Sequence, residues 1–190
     1  MLLWIILVIG AAFFLYLIIT FNSLVRTRQM ANEAWSGIDV QLKRRSDLVP
    51  NLVETVKGYA GHERSVLEEV TRLRGAARAL PDNDVASRAQ AEGALSLALG
   101  KLVALAENYP DLKASSNFLD LQQQLSQLET ELQMARRYYN GTVRNQNVLA
   151  QSFPSNLIAR LFGFGQRQYF EASDGDRAVP QVSLQAGPPA

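Results

Sequence analysis

At 190 residues, the chain is long enough for one domain with its own core plus an anchor, and too short for two full domains. Its 19 Lys/Arg and 18 Asp/Glu leave a net charge of +1, too even for a protein whose main partner is nucleic acid. With no cysteine and a single histidine, His62, it cannot build a thiol nucleophile, a disulfide framework or a Cys/His zinc site.

Residues 2–21, LLWIILVIGAAFFLYLIITF, carry no charge. A helix of that length rises about 30 Å, the thickness of a bilayer's hydrocarbon core. A cleaved signal peptide needs a basic start, a shorter apolar core and a small-residue cleavage site. No Lys or Arg precedes this core and ITFNSLV offers no such site, so a retained transmembrane helix is expected over 1–21. Trp4 and Tyr16 suit the two interfaces. Arg26 and Arg28 follow the span closely, and cations beside a span stay in the cytoplasm. This places the N-terminus outside and residues 22–190 inside.

From residue 22 to 150 the apolar positions recur in steps of three and four, the mark of helices packed along a seam. The first stripe is Ala31, Trp35, Ile38, Leu42, Arg45, Val49, Leu52, Val56, Tyr59; its one charged member is Arg45. A second helix follows Gly61, and PDND forms a turn in which Asp84 is placed to cap a third. The third carries Ala91, Leu95, Ala98, Leu102 and Leu105 and stops before Pro110. A fourth begins near Ser116 or Asn117 and shows Phe118, Leu121, Leu125, Leu128, Leu132, Ala135 and Tyr139. No segment alternates as a half-buried strand does. The fold class is therefore all-α, a transmembrane helix followed by an antiparallel bundle of three to four long helices over 22–150. Residues 151–171 read as a short helix with an aromatic extension, in which Phe162, Phe164, Tyr169 and Phe170 are candidate contacts. Residues 172–190 read as a disordered tail.

QLKRRSDLVPNLVETVKGY places Lys43, Arg44, Arg45, Asp47 and Pro50 inside the first helix. Lys43 lies about 33 Å beyond the span on a straight helix, too far for simple lipid contact. Arg45 sits in the seam, and a buried arginine calls for an acid: Asp47, Glu54 or one on a facing helix. Pro50 removes a backbone donor and predicts a kink or a restart, with Asp47 as the new cap. With Trp35 and Tyr59, these are the structural and interaction candidates. HERSV has Val66 where a zinc motif needs a second histidine, and GxxxxGK is absent. The glycines at 58, 61, 75, 93 and 100 read as close helix contacts. Asn140-Gly141-Thr142 matches a glycosylation sequon by chance in a helical segment. No set of catalytic roles is recognisable; no enzyme activity, cofactor or metal is expected.

Three blocks, AWSGIDVQLKRRSDLVPNLVETVKGYAGHE, ENYPDLKASSNFLDLQQQLSQLETELQMARRYYNGTVRNQN and FPSNLIARLFGF followed by YFE, occur in order from Ala34 to Glu171. In them the chain resembles the LemA family of bacterial membrane proteins. The resemblance implies a single-span protein of the bacterial inner membrane with a helical cytoplasmic domain and no established reaction. It further implies association with heat-shock-type membrane zinc metalloproteases and envelope stress. The expected role is a homo-oligomeric scaffold that positions or restrains a membrane protein partner. The alternative is a lipid-organising or membrane-remodelling protein acting through the basic stretch and the helix near residues 156–162. Gly141 departs from the family pattern and is expected to weaken the fourth helix.

Overall fold

The computed structural model describes residues 1–171, and they are all-α. Six helices follow in order: α1 (Leu2–Tyr59), α2 (Arg64–Ala79), α3 (Val85–Ala106), α4 (Pro110–Lys113), α5 (Ser116–Gln151) and α6 (Ser155–Leu161). The apolar residues 2–21 and the first bundle helix are one element. α1 runs 58 residues without a break, about 87 Å at 1.5 Å per residue. The glycine turn after Tyr59 reverses the chain into α2, and α3 starts where Asp84 accepts a hydrogen bond from the Ser87 N–H.

Contacts along α1 fix the directions. Arg45 meets Glu129, Trp35 meets Tyr139, and Leu24 shares a cluster with Leu149, so α5 descends antiparallel to α1. Asp39 pairs with Arg88 and Arg45 with Glu92, so α3 ascends parallel to α1. α1, α2, α3 and α5 thus form an up-down-up-down bundle, with α4 closing the far end and α6 tucked under α5.

Three apolar clusters stack along α1. The distal one joins Leu48, Leu52 and Val56 to Leu95, Leu99, Leu112 and Phe118. The middle one joins Ala34, Ile38 and Leu42 to Ala89, Leu132, Tyr139 and Phe170. The basal one joins Leu24 to Ile158, Ala159 and Phe164, against Phe21 at the end of the apolar stretch. Between the distal and middle clusters lies a single charged layer centred on Arg45.

Pro50 does not restart the helix, and α1 passes through it. Proline cannot donate to the carbonyl four residues back, which here is Ser46 O. That oxygen instead accepts a 2.6 Å hydrogen bond from Arg74 Nε of α2. A side chain from the neighbouring helix thus replaces the missing backbone donor. Arg74→Met is expected to cost about 1–3 kcal/mol by leaving the carbonyl unpaired. In a Pro50→Ala background, where the backbone bond returns, the same change should cost less; equal losses in the two backgrounds, by thermal melting, would contradict this pairing.

Other expectations are corrected by the packing. Asp47 is exposed and caps nothing, and Tyr59 is exposed while Ala60 takes the buried position that ends the stripe. α5 is continuous through Gly141. A Cβ added at Gly58, Gly75, Gly93 or Gly100 would meet nothing within 4 Å, so these glycines do not mark close helix contacts. Nothing in the packing explains Gly141, which has the same open space. Ser116 is already helical, with Ser115 at the N-cap position.

Candidate functional site

Arg45 is 1% exposed, among the most buried side chains of the bundle. Its guanidinium reaches two helices at once. Nη1 donates to Glu129 Oε1 of α5 at 2.5 Å and to Ser96 Oγ of α3 at 2.6 Å. Nη2 donates to the Glu92 carboxylate and, at 3.2 Å, to the Glu92 carbonyl. Burial works against the charge, but Glu92 and Glu129 outweigh it and hold the guanidinium above its ordinary pKa. The planar fork suits this task, since one lysine could not address two acids on different helices with fixed geometry. Asp47 and Glu54 take no part; Glu54 pairs with Lys57 in solvent.

A second pairing lies about two turns down. Arg88 of α3 contacts Asp39 of α1 at 3.0 Å and donates to Asp82 at 2.9 Å, with its Cζ 5.7 Å from the centre of the Trp35 ring. Trp35 Nε1 donates to the Asp82 carbonyl at 3.0 Å. Burial opposes the Asp39 charge, but Lys43 and Arg88 more than offset it and keep its carboxyl below the usual range. α1 therefore presents an acid and then a base, Asp39 and Arg45, to a base and then an acid on α3, Arg88 and Glu92. The two matches hold only in one register of the helices.

Below this layer the chain after α6 returns upward as an extended arm, residues 164–171, along α5. Asn147 accepts from the Arg167 N–H at 2.8 Å and donates to the Arg167 carbonyl at 3.0 Å. Asn140 does the same for Phe170, at 2.9 and 3.1 Å. Each amide imitates a neighbouring β-strand. The spacing matches: seven helical residues rise about 10.5 Å, and three extended residues cover about 10 Å. Tyr139 Oη donates to the Gln168 carbonyl at 3.0 Å; burial raises the phenol's pKa, against the pull of Arg167. Phe170, fully buried, packs beside Trp35 and Tyr139, with Arg136 Cζ 5.1 Å from its ring centre.

The structure thus gathers Arg45 and Phe170 into the interior, with half-buried Trp35 against Phe170, and places Phe162 and Phe164 against Phe21 at the base. It leaves Asp47, Tyr59 and Tyr169 outside. Arg88, Glu92, Glu129, Asn140 and Asn147 were not among the sequence candidates. His62 is exposed in the turn between α1 and α2, and among the described residues no three His, Cys, Asp or Glu side chains are grouped to hold a metal.

Comparison with known proteins bears on the whole of this arrangement. The model of the LemA family matches residues 34–184. The chain belongs to the LemA family. The LemA match takes in α1 from residue 34, the other bundle helices, the Arg45 layer and the arm. Protein LemA of Metamycoplasma hominis is 28% identical over 181 residues, 95% of this chain and 82% of that protein. Magnetosome protein MamQ of Magnetospirillum gryphiswaldense is 24% identical over 198 residues, 90% of this chain and 73% of its own length. Magnetosome protein MamQ 2 of Paramagnetospirillum magneticum is similar to the same extent. Among the described residues one helix, α1, is long and apolar enough to cross a membrane, and this LemA family chain is a membrane protein.

Proposed function

We infer that the chain is a non-enzymatic, membrane-anchored scaffold of the bacterial inner membrane. Its N-terminus lies outside and its bundle in the cytoplasm. It self-assembles and positions or restrains an integral membrane partner, for which a heat-shock-type membrane zinc metalloprotease is the leading choice. One observation carries this reading: α1 continues unbroken from the apolar stretch into the bundle core, where it is held by all three stacked clusters. A rigid bundle on a continuous stalk transmits position, which a scaffold needs and a tethered catalyst does not.

The basic stretch favours the scaffold over a lipid-organising role for those cations. Lys43 pairs with Asp39, Arg44 lies 3.6 Å from Glu131, and Arg45 is buried. The full chain, extracted in a mild detergent and sized, is expected to elute as an assembly larger than one copy. Mass spectrometry of that peak should find a membrane metalloprotease. A strict monomer that brings down no membrane protein would overturn the reading.

A further inference from the structure

The net charge of +1 conceals a segregation along the bundle axis. The first acid in the chain is Glu33, and none occurs from residue 132 to 170. Residues 1–32 and 142–170 together hold five arginines, two in the first stretch and three in the second. Because α1 and α5 are antiparallel, with Trp35 level with Tyr139, both stretches lie at the same end. That end is the one next to the span.

The basal end is also apolar where it faces outward. α6 buries Ser155, Ile158 and Ala159 and lies in one cluster with Leu17, Phe21 and Leu24, the last turns of the span and the first beyond it. Phe162 and Phe164 stack edge-on against Phe21, at centroid distances of 4.9 and 5.8 Å. Away from that contact stand Phe153, Leu157 and Leu161, exposed by 81, 58 and 78%, and Phe162 keeps 54% of its surface exposed beside Phe21. These are large apolar side chains for a surface, at the level where the span leaves the bilayer. Arg26 and Arg28 follow within two turns of α1, Arg160 sits on α6, and Arg28 lies over the Phe164 ring at 5.9 Å.

We propose that the α5–α6 corner is a foot that seats the domain on the bilayer its own stalk enters, with Phe153, Leu157, Leu161 and Phe162 in the acyl–headgroup boundary and the basal arginines against anionic headgroups. Apolar side chains flanked by cations are what such an interface takes, and the absence of any acid from residues 1–32 and 142–170 removes a repulsion that would lift the domain away. The seat fixes the angle of the stalk, because α6 is packed on α1.

The chain contains no cysteine, so single spin labels can be placed without background. Leu157→Cys and Leu161→Cys would be labelled in the full chain, reconstituted in phosphatidylcholine vesicles with and without phosphatidylglycerol. Gln124→Cys, exposed near the far end, serves as the aqueous reference and Phe13→Cys as the span reference. The foot labels are expected to be severalfold less accessible to a nickel chelate than Gln124→Cys and more accessible to oxygen. That protection should be strengthened by phosphatidylglycerol and weakened by salt. Nickel accessibility equal to that of Gln124→Cys, with Phe13→Cys protected, would overturn the proposal while leaving the anchor intact. So would dipolar broadening at the foot labels that vanishes on dilution with unlabelled chain, because a second copy would then cover the face.

Discussion

Replacing Arg45 with methionine is expected to lower the stability of the bundle by about 3–5 kcal/mol, because it keeps the apolar stem and leaves two carboxylates facing each other without their cation. For a chain of this size that corresponds to a fall in Tm of roughly 10 °C. Glu92 is buried and Glu129 is half-buried, so neither can recover full hydration without opening the helices. The informative comparison is the triple variant Arg45→Met, Glu92→Leu, Glu129→Leu. Buried ionic clusters replaced together by apolar side chains are often neutral or stabilising. The triple variant should therefore melt close to the parent or above it, although the single change is severe. Circular dichroism of the full chain in detergent reads both. A single variant that melts with the parent would remove the layer from the account of stability. A triple variant as unstable as the single would show that the arginine contributes packing rather than charge compensation.

The layer also shows what the sequence could and could not tell. Arg45 was legible as a charge in an otherwise apolar stripe. Its partners were legible in principle: counting back from Leu95 in steps of three and four reaches Glu92 and Arg88, two charges in the buried stripe of α3. Reading that stripe from Ala91 missed them, since Ala91 lies at its edge. Pro50 misled because the local rule is sound but incomplete. The lost backbone bond is real, and Arg74, 24 residues later, supplies a substitute that no local pattern announces. Asn140 and Asn147 were illegible for another reason. They bind backbone atoms of a distant segment, and backbone carries no side-chain signature to match. Their spacing of seven is ordinary on a helix, and only the arm's extended course gives it meaning. Net charge hid the arginines gathered at the base because an average over the chain discards position, and position here needs the antiparallel return of α5. Helix number and boundaries were more open to reading, since seam periodicity and turn residues act within a few residues of one another.

Phe170→Ala should release the arm without melting the bundle. Removing a fully buried phenylalanine costs about 3–5 kcal/mol where the surroundings cannot collapse. Here the loss falls on a segment otherwise held by the Asn140 and Asn147 amides, Tyr139 Oη, Gln146, the hydrogen bond from Arg167 to Asn32 and Phe164 in the basal cluster. Net contributions of on the order of 1 kcal/mol per hydrogen bond cannot replace the anchor once the extended backbone regains its entropy. Amide exchange over residues 164–171 should rise by at least tenfold, the equivalent of about 1.4 kcal/mol. Trp35, whose ring lies 5.7 Å from that of Phe170, should emit further to the red as water reaches it. Tm should fall less than for Arg45→Met, because Phe170 belongs to the middle cluster and the distal cluster contains no arm residue. The double variant Asn140→Ala, Asn147→Ala tests the same device from the other side, removing four backbone-directed hydrogen bonds while keeping the aromatic pocket. If exchange in the arm rises for Phe170→Ala and not for the asparagine pair, the arm is held by its ring alone. If it rises for both, the ring and the two amides act as one clasp, and the segment after α6 is a docked strand on a helical surface.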